Sequence, residues 1–489
     1  MNTRFFCYIN PQKFLNVFVL FFCSFAFSQT EFITTWKTDN PGVSNSTSIT
    51  IPTTGAGYNY EVDWTYDGMT FNVEDTGVTG NITHDYMAPG TYTVAIRGVF
   101  PRIYFNCGGD KEKIMSIEQW GTIAWTSMAD AFACCENLTY NATDAPNLSG
   151  VTDMSYMFNY CIVFNGDLSS WDVSNVTNMA NLFNDANSFN GDISTWDVSN
   201  VTDMRGMFSY GTPFNGDISS WNVGNVTRMD FMFQYNTVFN GDISNWDVSS
   251  VIDMDQMFEN NTAFNGDISG WDVSNVIHMS SMFAYNNAFN GDISGWNVSK
   301  VEDMDSMFDS NTAFDGDLGN WDISSVERMD SMFYEATLST TNYDNTLIGW
   351  STLSIGETQI PGPILNIQFD GGYSTYCNGE SARQTLISTY GWSINDSGKD
   401  CSGLSVDDYN LTSSLRLYPN PTRNILHIKS ERSIERISIY DVNGKTLMDI
   451  ATKNERLKQG LPIANLASGL YFIKAHSNDG QATTKFIKQ

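Results

Sequence analysis

The stretch Phe189-Asn190-Gly191-Asp192-Ile193-Ser194-Thr195-Trp196-Asp197-Val198-Ser199-Asn200-Val201-Thr202-Asp203-Met204-Arg205-Gly206-Met207-Phe208 returns every 25 residues through the centre of the chain. Its Phe-Asn-Gly-Asp opening stands at Phe164, Phe189, Phe214, Phe239, Phe264 and Phe289, and recurs as Phe314-Asp315-Gly316-Asp317. A fixed period of this length marks a repeat array in which each residue type stacks on its own copy. One unit has too few apolar side chains to offset the ordering of its backbone, so neighbours must cover its faces and the end units must act as caps. The expected fold class is a repeat solenoid flanked by small all-β sandwich domains, with the tryptophans Trp171 to Trp321 in its core.

The flanks set the domain boundaries. Residues 29–105 alternate polar with β-branched or aromatic residues, as in Thr91-Tyr92-Thr93-Val94-Ala95-Ile96, which predicts an N-terminal β-sandwich-like domain. Residues 106–163 form degenerate capping repeats, 164–333 seven regular ones and 334–403 a C-terminal cap. Beyond Gly403, twelve Lys and Arg stand against eight Asp and Glu, a balance of +4 that leaves −34 for the rest of a chain whose net charge is −30. Residues 404–489 therefore form a separate module, with turn signals at Asn420-Pro421, Asn443-Gly444 and Ser468-Gly469 between short alternating strands.

Residues 1–28 join Arg4 and Lys13 to the apolar run Phe14 to Phe22 and end Ala26-Phe27-Ser28, the pattern of a secretory signal peptide. No later apolar run approaches the ~18 to 20 residues needed to cross a bilayer. Export permits disulfides. Cys135 and Cys161 each follow the Phe of a Met-x-x-x-Phe unit by three residues and stack in phase as one candidate pair; Cys377 and Cys401 flank one compact segment as another. The acidic balance excludes a nucleic-acid binder, because phosphate contact needs a basic footprint and the repeats from Phe164 to Phe333 carry only Arg205, Arg228, Lys300 and Arg328.

Three columns bear on function. Asp167, Asp192, Asp217, Asp242, Asp267, Asp292 and Asp317 put a like charge in every unit, which repels by about 1 kcal/mol per neighbour in water. Such a column either holds a hard cation, calcium above all, or forms Asn-Gly-Asp turns whose carboxylates bond local amides. Asp203, Arg228, Asp253, His278, Asp303 and Arg328 alternate as a self-neutralising ladder that sets register. The five residues after each repeat Phe vary most, and Tyr160, Tyr210, Tyr235 and Tyr285 share one offset there; with Phe231 they form a candidate aromatic stripe for a protein or glycan. Four histidines, no His-Glu-x-x-His, no Gly-x-Ser-x-Gly and identical carboxylates in every unit argue against an enzyme.

The unit from Trp196 to Phe208 resembles that of the BspA-like leucine-rich-repeat surface proteins of bacteria, over about Trp120 to Phe333. The resemblance implies a leucine-rich-repeat-like solenoid of short strands and short helical turns, and a secreted or cell-surface binding and adhesion module for extracellular protein or glycan ligands. The alternatives are a calcium-stabilised structural spacer and, third, a polysaccharide-degrading solenoid. The tail is similar to type IX secretion sorting domains of the Bacteroidetes kind, on Pro419-Asn420-Pro421, Gly444 and Gly469-Leu470-Tyr471. That similarity implies passage through the type IX machinery, removal of the tail, and release or attachment to surface lipopolysaccharide.

Overall fold

The computed structural model describes residues 30–353, 358–363, 365–402, 415–430, 434–442, 444–451, 460–477 and 480–489. The leader expected at 1–28 and the junction at Gly403 lie outside them.

The N-terminal strands are β1 (Phe32–Lys37), β2 (Ser48–Ile51), β3 (Asn59–Asp63), β4 (Asp75–Val78), β5 (Ile82–Asp85), β6 (Thr91–Val99), β7 (Ile114–Gln119) and β8 (Thr139–Tyr140). Six form an open sheet in the order β4-β3-β6-β1-β7-β8, and β2 pairs with β5. Phe32 of β1 packs on Trp120 and Trp125 at centroid distances of 5.5 and 5.1 Å. β8 pairs parallel to β7 at the sheet edge. There the Tyr140 hydroxyl accepts from the indoles of both Trp120 and Trp171, each at 3.1 Å, and joins the sheet to the first regular repeat.

The repeats themselves correct the expected fold class. Among the described residues there are five small open sheets and two helices, and all lie outside residues 141–339. In place of a leucine-rich-repeat-like solenoid of short strands and helical turns, the repeats are built from turns. The cause is backbone conformation: most units carry two residues with positive φ, such as Phe231 (61°) and Tyr235 (56°), or Ser281 (53°) and Tyr285 (56°). Left-handed residues interrupt strand and helix alike.

The turns nevertheless keep register with their copies. In the unit from Met204, the amides of Met204, Gly206, Phe208 and Tyr210 donate to the carbonyls of Arg228, Asp230, Met232 and Gln234 at 2.8–3.0 Å. The intervening amides of Met207 and Ser209 fold back on Met204 and Gly206. Every second amide thus points to the next unit, and single parallel bridges link Asp153, Asn178, Asp203, Arg228, Asp253, His278, Asp303 and Arg328 in succession.

Side chains follow the same step. Phe158, Phe183, Phe208, Phe233 and Phe258 stack at 5.7–6.0 Å, and a second column begins Phe164, Phe189 and Phe214. Each buried tryptophan from Trp196 to Trp321 donates its indole N–H to a carbonyl 28 residues earlier, as Trp246 does to Ile218 at 3.1 Å. Asparagines of the Phe-Asn-Gly-Asp segments form a ladder, the amide of Asn215 donating to Asn190 Oδ1 and that of Asn240 to Asn215 Oδ1, both at 3.0 Å. The following glycine is required by contact: a Cβ at Gly216 would lie 2.8 Å from the Phe214 ring.

α1 (Thr340–Trp350) closes the far end, its start capped by Ser339. Gly349 lets it touch the last turn, since a Cβ there would meet Gly319 O at 1.9 Å. Trp350 continues the tryptophan series by donating to Leu318 O at 2.9 Å. β9 (Gln368–Asp370) and β10 (Ser393–Asn395) pair in parallel on either side of α2 (Glu380–Tyr390). Buried Asp344 on α1 accepts from the amides of Cys377, Asn378 and Gly379 at 2.7–2.8 Å, neutralising the start of α2. One buried apolar cluster runs from Phe32 to Trp392, while the tail has its own around Leu426, Ile437, Ile473 and Phe486.

The cysteines pair as Cys107 with Cys134 and Cys377 with Cys401. The expected Cys135–Cys161 bridge is corrected: both are buried free thiols. Cys134 has a left-handed φ of 63°, and the Cys107 amide bonds Ala133 O beside it, so the outer member of the Cys134-Cys135 pair is bridged. The Cys161 thiol donates to Phe132 O at 3.1 Å.

We expect Trp246→Ala to destabilise the protein by about 3–5 kcal/mol, since it opens a cavity between two stacked units and orphans the Ile218 carbonyl. Urea unfolding of the variant checks this, and a loss under about 1 kcal/mol contradicts a close-packed column.

Candidate functional site

The first acidic column is a row of turns. Asp217, Asp242, Asp267 and Asp292 each accept, through Oδ1, the amide and the hydroxyl of the serine two residues on, at 3.0 and 2.7 Å. Asp167 and Asp192 accept the amides of Ser169 and Ser194, and Asp317 that of Gly319. The serine hydroxyls, then the amides, hold Asp217, Asp242, Asp267 and Asp292 below the usual carboxylate range. Among the described residues no three of His, Cys, Asp and Glu are placed to hold a metal ion.

The alternating column forms the bridge line of the stack, with Arg228 on Asp253 at 3.6 Å and Arg328 on Asp303 at 3.0 Å. Beside it lies an acidic row that sequence reading left among the variable positions: Asp230, Asp255, Asp305 and Asp330. Asp230 is buried and pairs with Arg228 at 2.9 Å. Asp255 accepts the Ser280 amide at 2.7 Å; burial, then the neighbouring Asp253, push its carboxyl up to about 6. Recurrence of Asp two residues after Arg228, Asp253, Asp303 and Arg328 was the available signal.

Tyr160, Tyr210, Tyr235 and Tyr285 form one exposed row, with 40, 51, 39 and 46% of their surface open to solvent. All four have φ of 55–56°. Tyr210 and Tyr235 stack at 5.5 Å with an interplanar angle of 18°. Phe231 does not join them. It is half-buried and sits in the other left-handed row, with Tyr156, Gly206 and Gln256. An equal offset, rather than nearness in sequence, decides which side chains meet in a stack.

The tail strands are β11 (Arg416–Tyr418), β12 (Ile425–Lys429), β13 (Arg436–Tyr440), β14 (Thr446–Ala451), β15 (Leu461–Pro462), β16 (Gly469–Ser477) and β17 (Gly480–Lys488), in sheets β11-β12-β15 and β14-β13-β16-β17. The Pro419-Asn420-Pro421 segment clamps the last strand: Asn420 Oδ1 accepts the Ile487 amide at 2.9 Å and its Nδ2 donates to Lys485 O at 3.3 Å. Gly444 supplies a left-handed turn, and Gly469 opens β16 opposite Lys488. Tyr471 is buried on Phe486 and donates its hydroxyl to Ala467 O.

Asp255 yields a pH prediction. Its folded pKa lies above the unfolded value, so the native state binds the extra proton and stability falls as pH rises from about 4 to 6. Asp255→Asn keeps the acceptor for Ser280 and is expected to raise stability at pH 7 by about 1–2 kcal/mol, with no gain at pH 4. Thermal melts at the two pH values check this; equal effects at both would contradict a neutral native carboxyl.

Residues 126–245 and 227–350 match the family described as "Mycoplasma protein of unknown function, DUF285". Residues 416–489 match the "Secretion system C-terminal sorting domain". No curated protein matches the chain. No helix of the described residues is long and apolar enough to cross a membrane. The chain therefore carries DUF285 repeats on a module that directs export by the type IX secretion system to the cell surface or extracellular space.

Proposed function

We propose that the exported body is a non-catalytic binding and adhesion module, which meets extracellular protein or glycan ligands along the row Tyr160, Tyr210, Tyr235 and Tyr285. The carrying observation is that these large side chains occupy a left-handed backbone position while remaining exposed. Asn and Asp adopt that conformation far more readily, and Asp185 and Asn260 hold the same place in other units. The frame therefore does not need tyrosine there, and aromatic rings exposed at a conformational cost are suited to contact with a partner. In this reading the Asp rows serve the turns rather than calcium, and cleavage of the tail leaves the body released or attached to surface lipopolysaccharide.

The test compares the secreted protein with a Tyr210→Ser, Tyr235→Ser, Tyr285→Ser variant on a panel of immobilised matrix proteins and polysaccharides. We expect retention to fall about tenfold or more while the melting temperature stays within a few degrees. Unchanged retention, or hydrolysis of a polysaccharide on the panel, contradicts the proposal. Melting in calcium and then in chelator separates off the spacer alternative: a large calcium-dependent rise would assign the Asp column to cations, and we expect none.

A further inference from the structure

The tyrosine row is interrupted in a regular way. Asn260 separates Tyr235 from Tyr285, and Asp185 separates Tyr160 from Tyr210. The Tyr210–Tyr235 pair shows that rings in this row lie face to face along the stack. Where a short residue intervenes, as Asn260 does with its side chain on the Tyr235 hydroxyl, the row has a notch with another tyrosine beyond it. Successive units step by 5.7 and 5.8 Å from Phe233 to Phe258 to Phe283. Tyrosines two units apart thus stand roughly 11.5 Å apart, and a group midway lies roughly 6 Å from each ring, the range over which a cation is attracted to an aromatic face.

The surroundings of the Asn260 notch favour a cation with several donors. Glu259 lies close enough to Tyr235 to be the main influence raising its hydroxyl pKa. Its own carboxyl is pushed up by burial and accepts from the side-chain amide of Gln234. Gln234 is 3% exposed, and its Oε1 has no partner among the described residues. The cations of the repeats are engaged elsewhere: Arg205 with Asp203, Arg228 with Asp230 and Asp253, Arg328 with Asp303 and Asp305, and Lys300 with Asn275.

We propose that the Tyr235–Asn260–Tyr285 notch is a binding site for an arginine side chain of an extended basic protein segment. This rests on the binding-module reading above and narrows it to one class of partner. The guanidinium is planar, stacks on aromatic faces and presents five donors, so one group meets the rings and Glu259 together, where a neutral sugar offers no charge to Glu259. The acidic body, −34 before the tail, draws such a partner in. The Tyr160–Asp185–Tyr210 notch, three units away, has the same flanking tyrosines around a carboxylate, but Asn184 and Asn159 stand where Glu259 and Gln234 do.

Fluorescence anisotropy of a labelled arginine-glycine peptide of about a dozen residues, with its citrulline counterpart as control, tests the site on the secreted protein. We expect binding of the arginine peptide alone, weakened about tenfold by Tyr235→Leu with Tyr285→Leu and by Glu259→Gln. Tyr235→Phe with Tyr285→Phe should retain it, because the ring face survives, and this pair also controls for folding. Equal binding by the leucine variant would reduce the effect to long-range charge and overturn the site, as would no binding by the unaltered protein. If the arginine peptide fails while the panel still shows tyrosine-dependent retention of another ligand, the notch assignment falls and the binding module stands. Failure of both removes both.

Discussion

The structure depends on one backbone constraint: within each unit the segment from Met to the variable loop is a series of turns that leaves every second amide without a local acceptor. The next unit supplies that acceptor, 24 residues on, as Arg228, Asp230, Met232 and Gln234 do for the unit before. An unpaired buried amide is costly, so each unit makes the next obligatory. Left-handed residues enforce the arrangement, since they prevent the segment from relaxing into a strand or helix that would satisfy itself. The aromatic columns then follow without further specification, because identical side chains at identical offsets fall about 6 Å apart and stack.

A stack held this way has two open ends, and the chain closes each with a different device. At the start, Tyr140 receives two indole N–H groups and turns a sheet edge into the first step. At the finish, α1 lies on the last turn through the Gly319–Gly349 contact, while Trp350 completes the tryptophan series. The unbroken apolar cluster from Phe32 to Trp392 shows that caps and repeats share one core. The tail keeps a separate core, as suits a module whose task is export.

Much of this was legible from residues. The 25-residue period, the buried tryptophans and the sorting segment around Asn420 were open to direct reading, because each rests on a repeated or rigid local pattern. The local conformation was not: alternating apolar positions fit a short strand as well as a turn, and only the positive φ at Tyr210 and Phe231 separates the two. The disulfide at Cys134 in place of Cys135 turned on the same point, one left-handed residue deciding which sulfur faces outward. Asp255 and its neighbours escaped notice because they sit among positions that vary, and their burial arises from the stacking itself.

Function on such a frame is a matter of which positions the stack leaves free. The Asp turns, the asparagine ladder and the bridge line are consumed in holding register, while the tyrosines give their amides to it and leave their side chains exposed. The most direct test of the account is the melting of two deletion variants of the secreted protein, one lacking the whole unit 239–263 and one lacking only residues 239–250. If each unit is satisfied solely by its copy one step along, the first should unfold cooperatively within a few degrees of the parent and the second should lose cooperative melting. Equal damage from the two deletions, or tolerance of the second, would contradict it.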